Sequence, residues 1–319
     1  METILRDLEP TVGQLFDRHL SKAQEWFPHE FVPYERGRDF SPGEPWSEAD
    51  ADLGGHTIDD AVRSALYVNL LTEDNLPYYF RSIERMFGPD GAWGEWGRRW
   101  TAEEGRHAMV IYGYLTVTRA IDPVTLERGR MAQVSQGVTP DPPNALEGFV
   151  YVALQELATR ISHRNTGNHL GDPAGREVMK RVALDENLHH LFYRDLASAA
   201  IEIDPSGMVK AIAKQVVGFA MPGTGIPDFA DHAKAIANAG IYDLTIHHDQ
   251  ILEPVVLRHW GLEDLTGLDD EAEQARAKVI KYIERSGRVA RRIAARQHET
   301  AERTADAGAD TKPKVPVGV

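Results

Sequence analysis

The chain has 319 residues, 42% of them hydrophobic, and a formal charge of −14. No long uncharged apolar run interrupts it, which excludes a membrane-spanning helix, and the acidic balance argues against nucleic acid as a general partner. The absence of cysteine excludes disulfides and cysteine-held iron–sulfur clusters, so electrons for any redox chemistry have to come from another protein.

In chain order the pattern reads as nearly all helix. The opening METILRDLEPTVGQLF has acidic residues and no basic start ahead of an apolar stretch, so it is not read as a secretory signal, and a cytoplasmic protein is expected. A short helix is predicted over residues 11 to 22, then a loop rich in proline, glycine and acid over 41 to 56. Helices follow at 57 to 74, 76 to 87, 94 to 120, 123 to 136, 145 to 168 and 173 to 200, punctuated by Pro77, Gly88, Pro123, Pro142 and Pro173. Thr57 with Asp60 reads as a capping box with Asp in place of Glu. Further helices are predicted near 206 to 219, 227 to 239, 245 to 260 and 268 to 298. No segment alternates as a strand would. Residues 1 to 300 are expected to form a single helical domain, and residues 301 to 319, where periodicity is lost, a disordered tail.

Two of these helices carry the same motif. TAEEGRHAMV, residues 101 to 110, places Glu104 and His107 three apart, on one face of a helix. ALDENLHHLF, residues 183 to 192, repeats this with Glu186 and His189, and Asp185 stands where the first copy has Glu103. Each copy follows a helix with an isolated glutamate in an apolar setting, Glu73 in YVNLLTEDNLP and Glu156 in YVALQELATRISH, at nearly equal separations. The doubled unit is what a dinuclear carboxylate site in a four-helix bundle requires: one Glu from each of two helices and Glu-x-x-His from each of the other two. Four carboxylates and two imidazoles suit iron or manganese, and two divalent ions would neutralise charges that are otherwise costly to bury. Thr159, three residues after Glu156, shares its helical face, where a hydroxyl could reach an oxygen species at the metals; a back-bond to its own helix is the alternative.

The stretches LTEDNLPYY, WTAEEGRHAMV, LQELATRISHRNT, ALDENLHHLFY and MPGTGIPDF, with Trp-Phe-Pro at residue 26, resemble the soluble acyl-acyl carrier protein desaturases from about residue 10 to 265. The resemblance implies an all-α, ferritin-like four-helix bundle with additional helices and a diiron core. Two Fe ions per subunit would be held by Glu73, Glu104, His107, Glu156, Glu186 and His189, with Thr159 beside the oxygen position. It further implies a homodimer, oxygen-dependent desaturation of an acyl chain carried on acyl carrier protein, and ferredoxin as electron donor. A relay from the surface to one iron would run through Trp26, Asp185 and His107. Asp185 and Glu103, each one residue before a ligand, are placed to orient the histidine of the opposite copy. The competing readings are a hydroxylase or N-oxygenase on the same scaffold and a non-catalytic ferritin-like metal-binding protein. The basic run RSGRVARRIAAR, residues 285 to 296, is read as a solvated helix face before a carrier-protein contact.

Gly148 stands in the middle of a predicted helix, where glycine costs about 1 kcal/mol against alanine. It lies eight residues before Glu156, about 12 Å along the helix and on the same face. It is therefore expected to line the far end of an apolar tunnel and to help bind substrate, with close helix packing as the alternative.

Overall fold

The computed structural model describes residues 2–309, and among these there are helices and connectors but no strand. In chain order the helices are α1 (Glu2–Lys22), α2 (Asp60–Glu73), α3 (Leu76–Phe87), α4 (Gly91–Val117), α5 (Pro123–Gln136), α6 (Ala145–His169), α7 (Pro173–Ile203), α8 (Pro205–Val217), α9 (Phe229–Asn238), α10 (Leu244–His247) and α11 (Asp270–Ala309). Between α10 and α11 the chain runs on as a π-helical segment, His248–His259, with Pro254 inside it.

The predicted boundaries hold closely where a cap or proline sets them. Asp172 accepts from the Ala174 backbone N–H with Pro173 at the first helical position, and Asn144 accepts from the Glu147 N–H. Three expectations differ. The first helix begins at Glu2, because Leu8, Val12 and Leu15 form one buried stripe that carries the helix past Pro10. The expected capping box at Thr57 is not formed, since α2 starts at Asp60 with Asp59 ahead of it and no side-chain cap. The last helix continues to Ala309 through an alanine-rich stretch of high helix propensity. The remainder of the expected tail, residues 310–319, lies outside the described residues.

α2, α4, α6 and α7 form the central bundle, with α6 and α7 in the longest contact. α1 packs on α4 and α7, α3 on α4 and α6, and α9 on α2. Apolar residues gather into two clusters. One contains Trp93, Trp96 and Trp100 of α4, Phe149 to Leu154 of α6 and Phe192 to Ile201 of α7; the other contains Val62 to Leu71 of α2, Val110 to Leu115 of α4 and Val178 to Val182 of α7. On α4 and α7 the residues between the clusters are 103–107 and 185–189. The two motif copies therefore form a polar layer across an otherwise apolar bundle.

Candidate metal centre

α2 ends on Glu73, α4 brings Glu104 and His107, α6 brings Glu156 and α7 brings Glu186 and His189, and all six are buried. They make two overlapping groups: Glu73, Glu104, His107 and Glu186, and then Glu104, Glu156, Glu186 and His189. In each group one donor atom per residue lies within 4.8 Å of the others. Glu104 and Glu186 belong to both groups, one from each motif copy.

Both imidazoles point inward by Nδ1. That of His107 is 3.3 Å from Glu104 Oε2, 3.2 Å from Glu186 Oε1 and 3.6 Å from Glu73 Oε2. That of His189 is 2.9 Å from Glu104 Oε1 and 3.8 Å from Glu156 Oε2. Both Nδ1 atoms, Glu104 Oε1 and both Glu186 oxygens are buried without a hydrogen-bond partner. Such atoms are costly to bury unless something satisfies them, and a pair of cations is what this donor set fits.

The electrostatics agree. Burial, together with the charges of Glu186 and Glu104, pushes Glu156 well above the usual carboxylate range, and burial and Glu186 push Glu104 up. Burial opposes charging His107 and His189, yet the surrounding carboxylates hold both well above the ordinary imidazole value. In the absence of cations, protons would take their place, so metal binding would release protons.

The outward Nε2 atoms face Asp185 and Glu103, and only that of His189 is within hydrogen-bond geometry. His107 Nε2 is 3.5 Å from Asp185 Oδ2, and His189 Nε2 is 2.9 Å from Glu103 Oε2. Trp26 is buried and donates from Nε1 to Asp185 Oδ2 at 2.8 Å, the same oxygen that His107 Nε2 approaches at 3.5 Å without hydrogen-bonding to it. Asp185 also pairs with Arg106 at 3.2 Å and with Arg181, and the Arg106 guanidinium lies 4.7 Å above the Trp26 ring.

A cavity adjoins the centre, bounded there by Glu73, Trp100, Glu104, Glu156, Thr159 and Glu186. Its wall also includes Ile83 and Met86 of α3, Asn69 and Thr72 of α2, Tyr151, Val152 and Ser162 of α6, and Phe229 and Ile236 of α9. Thr159 is on the wall, and its hydroxyl donates to the Gln155 carbonyl at 2.8 Å, the back-bond that its spacing also allowed, and accepts from Gln155 Nε2 at 2.7 Å. Gly148 is not part of the wall. A Cβ there would lie 2.9 Å from Met86 Sδ and 3.5 Å from Phe87 Cζ, which places the glycine one layer behind the cavity, against the side chain that bounds it. Helical spacing alone could not show that α3 stands in between.

The sequence reading missed several neighbours. Trp100 donates to Glu156 Oε1 at 3.1 Å, and His163 Nε2 lies 2.8 Å from Glu73 Oε1. Their spacings were available signals, since Trp100 is one helical turn before Glu104 and His163 two turns after Glu156. Tyr79 also faces the cavity, with a hydroxyl that has no partner and that burial holds above the usual phenol range. His19, beside Glu103, was missed as well.

The family profile described as fatty acid desaturase matches residues 1–308. DesA1 of Mycobacterium tuberculosis, which bears the name of an acyl-acyl-carrier-protein desaturase, is 40% identical over 294 residues, covering 88% of this chain and 85% of its own. The chloroplastic stearoyl-acyl-carrier-protein 9-desaturase 6 of Arabidopsis thaliana is 32% identical over 292 residues, covering 84% and 72%. Among solved structures, DesA2 of Mycobacterium tuberculosis superposes with a TM-score of 0.67 at 26% identity, covering 86% of this chain and 99% of that one.

Proposed function

Because the chain belongs to the fatty acid desaturase family, we propose that it removes two vicinal hydrogens from a saturated acyl chain carried on acyl carrier protein, at a pair of irons held by Glu73, Glu104, His107, Glu156, Glu186 and His189. The observation that carries this reading is the sharing of Glu104 and Glu186 between two buried ligand groups. The irons would supply activation of dioxygen, a reaction that needs two electrons from outside the chain. With no cysteine in the sequence, a ferredoxin is the proposed donor.

The residues of the chain do the rest. On the His107 side of the centre, Trp26 bonds Asp185, whose charge is offset by Arg106 and Arg181. The two apolar clusters keep bulk water from the polar layer. The alkyl chain would lie against the apolar part of the cavity wall, which includes Ile83, Met86 and Val152. Among the described residues no helix is long and apolar enough to cross a membrane. A homodimer is proposed on the family resemblance.

The test is anaerobic titration of metal-free protein with ferrous iron. Saturation at two irons per chain supports the reading, and saturation at one sinks it.

The contact between Gly148 and Met86 on the cavity wall yields a second expectation. Gly148→Leu would push the flexible Met86 side chain into the cavity, because there is no room for a Cβ beside its sulfur. The variant is expected to keep its fold and metal and to prefer shorter acyl chains than the parent. An unchanged chain-length profile in a folded, metal-loaded variant would show that the acyl chain does not reach Met86.

A further inference from the structure

The carboxylates behind the two ligand histidines are anchored in different ways. Asp185 is held by Trp26 and two arginines. Glu103 is held by Arg99, 2.6 Å from Oε1, and by a histidine of α1: His19 Nε2 lies 2.9 Å from Glu103 Oε2, the same oxygen that His189 Nε2 meets at 2.9 Å.

An ionised carboxylate oxygen only accepts, so both imidazoles must present an N–H to it. For His189 this leaves the Nδ1 lone pair directed at the metal centre, the state a ligand needs. His19 is itself fixed. It is buried, its ring stands edge-on to Trp96 at 5.0 Å, and it lies nearly parallel to His189 with 5.8 Å between ring centres. Its other nitrogen, Nδ1, is buried without a partner. A leucine would fill similar space without an unsatisfied polar atom, so packing alone does not account for the imidazole.

We infer that His19 is a positioning residue for the second metal position: its Nε2–H locks Glu103 Oε2 in place, and Glu103 in turn holds the tautomer and direction of His189. The N-terminal helix thereby becomes part of the metal site, although it supplies no ligand. The inference rests on the dinuclear reading above and concerns one of the two positions.

Titration of the metal-free protein with cobalt(II), followed by visible absorption, separates the possibilities. The wild type is expected to bind two equivalents. In His19→Leu one equivalent should remain tight and the other weaken by about 10- to 100-fold, with unchanged far-UV circular dichroism before metal is added. His19→Gln has its amide nitrogen the same number of bonds from the backbone as Nε2 and should restore the second equivalent to within a few-fold. If the leucine variant fails to fold, His19→Asn, one bond too short to reach Glu103, is expected to show the same selective weakening. Wild-type affinity for both equivalents in a folded leucine or asparagine variant overturns the inference. So does a glutamine variant as weak as leucine, since ring shape rather than the N–H would then matter. Fewer than two equivalents in the wild type would instead overturn the dinuclear reading, and the inference with it.

Discussion

Replacing Glu186 by alanine is expected to empty both metal positions and to abolish turnover, whereas replacing Glu156 should weaken chiefly one. The difference follows from membership: Glu186, like Glu104, supplies oxygens to both ligand groups, while Glu73 and Glu156 serve one each. Removing a shared carboxylate takes one negative charge from two adjacent cations at once, in a site where burial leaves little solvent to compensate. Iron analysis of Glu104→Ala, Glu186→Ala, Glu73→Ala and Glu156→Ala should therefore split the set into two pairs, near zero iron for the first two and roughly one per chain for the others. Full iron occupancy in the Glu104, Glu186 double variant would remove these residues from the site. Equal loss across all four would mean that the centre assembles only as a unit, and the distinction between shared and single ligands would fall.

Trp26→Phe is expected to slow reduction of the loaded centre by reduced ferredoxin by about 10- to 100-fold while leaving iron content unchanged. Phenylalanine keeps much of the ring volume but loses the indole N–H that bonds Asp185 at 2.8 Å, the contact through which the proposed electron path would pass. Arg106 and Arg181 still hold Asp185 in the variant, so the carboxylate need not move and the metal ligands are not disturbed. Stopped-flow reduction is the direct readout. Equal rates for the parent and the variant would take Trp26 out of the path, and loss of iron in the variant would give it a structural role instead.

How much of this was legible in the sequence depends on how far apart the partners lie along the chain. The six candidate ligands were readable because Glu-x-x-His is a local pattern on one helical face and because the unit occurs twice. Asp185 and Glu103 were readable for the same reason, as neighbours of ligands with an evident chemical need. His19 lies 84 residues from Glu103, and His163 lies 90 from Glu73, and no local pattern connects such pairs. Only the packing of α1 against α4 and α7, and of α2 against α6, brings them together. Gly148 shows the same limit from the other side: it does lie within a helix, but the side chain across from it belongs to α3, and that decided whether it touches the cavity. Pro10 misled the reading of α1 because a local breaker was outweighed by a buried stripe that only the tertiary structure completes. The π-helical turns around Pro254 likewise have no periodicity signal of their own.

The central claim is that this centre desaturates a carrier-bound acyl chain. The most direct measurement is the mass of the acyl product after the iron-loaded protein is incubated with saturated acyl-acyl carrier protein, ferredoxin, a ferredoxin reductase and oxygen. The account predicts a product about two mass units lighter than the substrate, formed only when iron, oxygen and the reductant are all present. A product about sixteen mass units heavier would identify a hydroxylase on the same scaffold, and no change in mass with a fully loaded and reducible centre would contradict catalysis altogether.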